Sequence, residues 1–171
     1  MTPALRNIRM LTRYTRWAND KLFEALSALP AGEPEAKRKT LFGSMVHTLN
    51  HSYVIDLIWQ AHLEGRPHGF KARNTEGHPP LAALRQSQLA MDDWYISYAD
   101  NLSPERNDEV VEFNFVDGGA GAMTRGDMLL HVVNHKTYHR GFVADMIYQV
   151  PARPPATDLP VFLRDVPLEL P

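Results

Sequence analysis

No cysteine occurs anywhere in the 171 residues. That absence excludes a disulfide scaffold, Cys-based zinc sites, iron–sulfur clusters and a thiol nucleophile supplied by the chain itself. An excess of one charge is missing too, since 18 Lys+Arg stand against 20 Asp+Glu for a net charge of −2. Nucleic acid is held by neutralising several phosphates, so no nucleic-acid partner is expected. No run of about 20 apolar residues is present, which argues against a membrane span. The opening stretch MTPALRNIRMLTRYTRWAND carries four arginines where a signal peptide needs an uninterrupted apolar core. A cytoplasmic protein is the expectation. With 44% hydrophobic and 22% charged residues and no low-complexity tract, the chain reads as one ordinary folded domain over residues 1–171.

What is present is helical patterning broken by proline and glycine. A first segment from about Pro3 to Leu29 places Ile8, Leu11, Tyr14, Trp17, Leu22 and Leu26 at spacings of three to five, and Pro30-Ala31-Gly32 ends it. A second runs from about Thr40 to Glu64 and stops at Gly65-Arg66-Pro67. A third starts after Pro79-Pro80 and reaches about Asn101. Val110, Val111, Phe113, Phe115 and Val116, followed by Asp117-Gly118-Gly119, predict a short hairpin near residues 110–123. A fourth helix begins at Thr124, where Thr-Arg-Gly-Asp resembles a capping box, and continues to about Gln149. Six prolines from Pro151 to Pro171 then predict an extended strap. The fold class is therefore all-α: a four-helix bundle with a short β-hairpin before the last helix and an extended C-terminal tail.

Histidine is the unusual component. Of eight, five fall in two clusters, His47-Thr-Leu-Asn-His51 and His131-Val-Val-Asn-His135-Lys-Thr-Tyr-His139. A spacing of four places neighbouring imidazoles on one helix face, where two can share one metal ion and a facing helix can add a third. At 100° per residue, Met128, Val132, His135, His139, Val143 and Met146 form one stripe, otherwise wholly apolar, with His131 on its margin. That phase favours His135 and His139 as a ligand pair. In the second segment apolar residues surround the helix, and phase leaves His47 and His51 open. A lone histidine on an apolar face is usually a satisfied core residue. Two such pairs on separate helices are costly to bury unless the nitrogens find partners, and one ion would serve three at once. Such ligands are expected to bring their nitrogens within about 3 to 3.5 Å of one another, each keeping its second nitrogen for an acceptor or water.

Other residues read more plainly. Trp17, Trp59, Trp94, Tyr53 and Tyr98 suit core packing, and His62, His68 and His78 suit solvated positions. Asp92-Asp93 reads as an exposed face. Asp56 could accept from a ligand imidazole or pair with an arginine. No Glu-x-x-His or His-Glu-x-x-His occurs, nor a Gly-rich phosphate loop.

At these residues the chain resembles the DinB-like (DinB/YfiT-like) family of helical bundles regarded as metalloenzymes. The resemblance is carried by Tyr14-Thr-Arg-Trp17-Ala-Asn19, by Ser44-Met-Val-His-Thr-Leu-Asn-His51 with Asp56 and Trp59, and by Leu130-His-Val-Val-Asn-His135-Lys-Thr-Tyr-His139-Arg-Gly141. Thr157-Asp158-Leu-Pro-Val-Phe-Leu163 resembles the family's tail. By motif position the family's metal triad falls on His51, His135 and His139. Phe142 stands where relatives often carry glutamine, so a polar group near the site is missing. The resemblance implies a homodimer and a divalent ion, commonly zinc or nickel. It also implies, for some members, S-transfer or isomerisation using a low-molecular-weight thiol.

Two functions are therefore expected to compete. One is a metal-dependent enzyme acting on a small-molecule substrate, an S-transferase using an external thiol or a hydrolase activating water. The other is a non-catalytic metal-binding or stress-associated binding protein. A pocket open to substrate beside the histidines would favour the first, and a sealed site the second.

Overall fold

The structure is a computed structural model that describes residues 2–171. Helix α1 spans Pro3–Ser27. The Thr2 side chain accepts from the Leu5 amide and Pro3 sits in the first turn, where its missing N–H costs nothing. Helix α2 spans Met45–Glu64, later than the expected start at Thr40, because Ser44 is the cap and Gly43 has φ 80°. It ends at Gly65, whose φ of 69° is the left-handed conformation that closes helices. Helix α3 (Leu81–Asp100) follows Pro80, and a single turn α4 (Pro104–Asn107) was not foreseen.

Strands β1 (Val110–Asn114) and β2 (Ala120–Thr124) pair antiparallel with Phe113 opposite Gly121. Helix α5 (Arg125–Ile147) then starts where the capping signal lies, with the Thr124 side chain accepting from the Asp127 amide. The tail is not wholly extended. Leu159–Asp165 forms a short helix, α6, because Pro160 falls in its first turn. Its Phe162 packs on Tyr14 and Trp17 at 5.8 and 5.5 Å between centroids, and Tyr14 donates to the Thr157 carbonyl at 2.8 Å.

The four long helices pack with α1 against α3 and α5, and α2 against α5 and α3. Two apolar clusters fill the ends. Ile8, Ile55, Ile58, Tyr95 and Met128 belong to one, and Leu22, Leu26, Met45, Leu84 and Met146 to the other. On every long helix a polar stretch separates them. Asn19, Gln88, Lys136 and Arg140 fall there and Asp56 and Asp92 border it, all buried, and His51, His135 and His139 lie at the same level. Helix α5 accordingly buries two stripes, not the single one expected from phase: besides Met128 to Met146, the row Leu129, Val133, Lys136, Arg140 and Ile147 faces inward.

These buried groups pair with one another, save that Asp56 Oδ1 has no hydrogen-bond partner among the described residues. Asp56 pairs with Lys136 and accepts from Gln88 at 2.9 Å. Gln88 and Asn19 donate to Asp92 at 3.0 and 2.7 Å, and Arg140 donates to Asn19 and Thr137 at 3.1 and 2.9 Å. Two sequence expectations change here. Asp92 is buried and only Asp93 faces out, pairing with Arg16 at 2.7 Å, as adjacent helical positions diverge by 100°. Asp56 takes a lysine partner, neither an imidazole nor an arginine.

Candidate metal centre

Helices α2 and α5 bring His51, His135 and His139 together, each offering one ring nitrogen within 4.8 Å of the other two. The Nε2 atoms of His135 and His139 lie 3.0 Å apart. Ring centroids of His51 stand 5.2 Å from His135 and 4.8 Å from His139. Two bonds of about 2.1 Å to a shared ion place donors about 3 to 3.4 Å apart, a spacing that the His135–His139 pair meets and the set as a whole exceeds.

The protonation states suit ligation. His51 Nδ1 lies 3.0 Å from the Arg73 carbonyl. A carbonyl only accepts, so Nδ1 carries the proton and Nε2 keeps its lone pair. Burial pushes His135 down to about 2, helped by repulsion from His139 and His51. Burial likewise takes His139 down to about 4, and it lowers His51 against the raising effect of the Arg73 carbonyl. All three imidazoles are neutral near pH 7. The Nδ1 atoms of His135 and His139 are buried and find no hydrogen-bond partner among the described residues. Thus the second-nitrogen acceptor expected for each ring comes from protein only at His51. With three neutral, convergent, poorly satisfied imidazoles, the donor set fits a divalent ion.

The neighbouring histidines divide. His47 turns to the Thr75 carbonyl at 3.0 Å and packs on His78. His131 packs on Trp59 at 4.6 Å, with its ring 5.7 Å from His135. His62 is buried rather than solvated, held between Trp59 and Phe113 at 5.4 and 4.8 Å. Burial lowers the pKa of both His62 and His131.

The triad opens onto a cavity of about 430 Å³ that also takes in Ile55, Trp59, Arg73 and Phe115. That volume lies in the range of small-molecule sites. Phe42, from the turn before α2, stacks on His51 at 4.4 Å and meets His139 edge-on at 5.3 Å. Phe142, at the position of the family glutamine, lies 5.8 Å from His139 and packs against Tyr138 at 4.8 Å. Sequence reasoning missed Phe42, Arg73 and the hairpin's share of the wall, because loops carry no periodicity. One cue existed at Gly121. A Cβ there would meet the Phe113 ring at 2.6 Å and the Phe115 ring at 3.0 Å, so glycine lets both rings lie across β2.

Comparison with known proteins bears on the same span. The DinB family profile matches residues 2–166. "Protein DinB" of Bacillus subtilis (strain 168) is 26% identical over 158 residues, covering 90% of this chain and 91% of that protein.

Proposed function

The chain belongs to the DinB family, and from that premise we propose that it is a metal-dependent enzyme acting on a small molecule, with His51, His135 and His139 as ligands of one divalent ion. The observation that carries this reading is the convergence of three neutral imidazoles in the wall of an open cavity of about 430 Å³. A structural metal needs no such space, whereas three protein ligands beside an open cavity suit a catalytic site. Zinc or nickel is the expected ion. Bound there, it supplies a positive charge that lowers the pKa of a coordinated thiol or water.

The residues of the chain do the remaining work. Arg73 fixes the His51 tautomer through its carbonyl. Phe42 keeps water from one side of His51 and His139. With no cysteine in the chain, the nucleophilic sulfur must come from a low-molecular-weight thiol. The reaction is S-transfer in the cytoplasm by a homodimer, and hydrolysis is its competitor in the same assay. The non-catalytic alternative is disfavoured by the open cavity.

Elemental analysis of protein purified from metal-replete cells tests the first step, and should return about one zinc or nickel per chain. A thiol-consumption screen with electrophiles, with and without that metal, tests the second. Protein without bound metal would overturn the reading. Metal without turnover would leave a binding protein.

A further inference from the structure

The cavity beside the triad is longer than metal chemistry requires. His51, Ile55, Ile58 and His62 all line it, and their spacing of four, three and four sets them along one face of α2. Eleven residues at 1.5 Å each carry that face about 16 Å. The opposite wall is the hairpin turn, Phe115 to Asp117. It is pinned over the groove because Phe113 packs on Trp59 at 5.1 Å and on Phe115 at 5.0 Å. Between the two ends Ile55, Ile58 and Trp59, all buried members of the core, make an apolar wall, with the His131 ring set against Trp59.

The ends differ in charge. Beside His51 stands Arg73, exposed, lining the cavity, with no carboxylate at ion-pair distance among the described residues. Asp117 is the only acidic side chain among the lining residues. The His51 end of the groove thus carries the cation, and beyond it an apolar length runs to the buried His62 imidazole.

We propose that the substrate of this site has an anionic head and an extended apolar body, the head beside Arg73 and the histidines and the body along Ile55, Ile58 and Trp59 towards His62. The proposal takes the pocket from the reading above and adds the substrate class. A compact polar electrophile would leave most of the groove unfilled. An uncharged chain would leave Arg73 without a partner. Charge complementarity at one end and apolar area along the rest select an amphiphile with its charge at the tip.

Calorimetric titration tests this with straight-chain carboxylates from butyrate to tetradecanoate, below their micellar concentrations, and with the matching primary alcohols. Both EDTA-treated and zinc-loaded protein are used. In the EDTA-treated protein, affinity for the carboxylates should tighten about fourfold per methylene. It should level off at about twelve carbons, where the extended chain and its carboxylate have run the 16 Å to His62. Arg73→Gln should weaken the carboxylates about fivefold and leave the alcohols unchanged. Ile58→Trp should move the plateau to shorter chains. Its melting curve reports folding, and the wild-type series stands without it.

Affinity independent of chain length overturns the proposal. So does an affinity that climbs without a plateau, or an alcohol series as tight as the carboxylates and insensitive to residue 73. Chain-length dependence in protein that binds no metal would defeat the metalloenzyme reading and leave this one standing. A flat series in protein that binds zinc would do the reverse.

Discussion

His135 and Lys136 are neighbours on α5, both set in the polar layer between the two apolar ends, yet they meet opposite surroundings. Lys136 is enclosed by Asp56, with Gln88, Asp92, Asn19 and Arg140 completing a network drawn from all four long helices. Its two carboxylates and two cations cancel. His135 sets its ring against those of His51, His131 and His139, and among the described residues its Nδ1 and that of His139 have no hydrogen-bond partner. Protonating those rings would set like charges against each other, which is why burial and mutual repulsion hold them so low. The network pairs its opposite charges without a ligand, leaving only Asp56 Oδ1 without a hydrogen bond among the described residues, so it belongs to the scaffold. The histidine side brings together neutral imidazoles with no carboxylate in their ring contacts, a donor set that suits the proposed metal site. Polar burial alone therefore says little about function; what separates the two halves is whether opposite charges meet.

The largest effect should come from breaking the half whose opposite charges meet. Lys136→Met leaves Asp56, fully buried, facing an apolar side chain, and urea denaturation should show a loss of about 3 to 5 kcal/mol. The double change Asp56→Leu with Lys136→Met removes both charges and should recover most of that loss. A single change as mild as the double would mean that the pair is solvated in solution and that the network is not the scaffold described here.

Breaking the imidazole half should barely touch folding and should strike metal binding instead. His139→Ala should weaken zinc binding by more than about 100-fold, beyond what loss of a supporting residue costs. His131→Ala, one turn before His135 and packed on Trp59, should change it little. Competition with a chromogenic chelator reads both. Equal affinity in the two variants would mean that the wrong pair on α5 carries the ion.

Much of this contrast was legible in the chain. The spacing of four and the apolar stripe around it pointed to His135 and His139, and motif position added His51, the residue that the helix phase of the second segment could not separate from His47. The hairpin was readable from β-branched and aromatic residues before Asp117-Gly118-Gly119. The network was not legible. Lys136 and Arg140 lie outside the single apolar stripe given to that helix, and Asp92 read as one of an exposed pair, because a buried charge reveals itself only through a partner on another helix. Asn19 lay in a matching motif without an evident role and Asp56 with two roles left open; their partners Asp92 and Lys136 supply one for each. The groove was hidden for a related reason, since half its wall comes from loops.

The pH dependence of stability should separate the halves with opposite signs. In the metal-free protein, His135 and His139 titrate near 2 and 4, against an ordinary value of 6.5. Below 6.5 the unfolded chain binds protons that the folded one refuses, so their contribution is present above 6.5 and is lost as pH falls through 4 towards 2. Asp92 runs the other way. Burial raises it to about 6 from 3.8, so the folded state holds an extra proton between those values, and its contribution is lost as pH rises through 6. Near pH 5 the two histidines amount to about two protons and Asp92 offsets about one. Replacing both histidines by asparagine should therefore lower the slope of stability against pH by about two protons per molecule. An unchanged slope would show that the rings are solvated.

The smallest effect is expected at a third kind of buried polar atom. Thr15 on α1 is 4% exposed, and its Oγ1 has no hydrogen-bond partner among the described residues. Unlike the histidine nitrogens it has no companions. It borders, with Asp92 and Tyr95, a cavity of about 10 Å³, at the lower limit for a single water. An isolated orphan has nothing to converge with, so it neither builds a site nor supports a network. Removing it by the near-isosteric Thr15→Val exchanges an unanswered hydroxyl for a methyl, a change that is neutral or stabilising when no partner is lost. Stability should rise by less than about 1 kcal/mol, with metal affinity unchanged. A loss of about 1 kcal/mol or more would mean that the hydroxyl is answered after all, by a water shared with Asp92, and would move Thr15 from the orphaned atoms into the charged network.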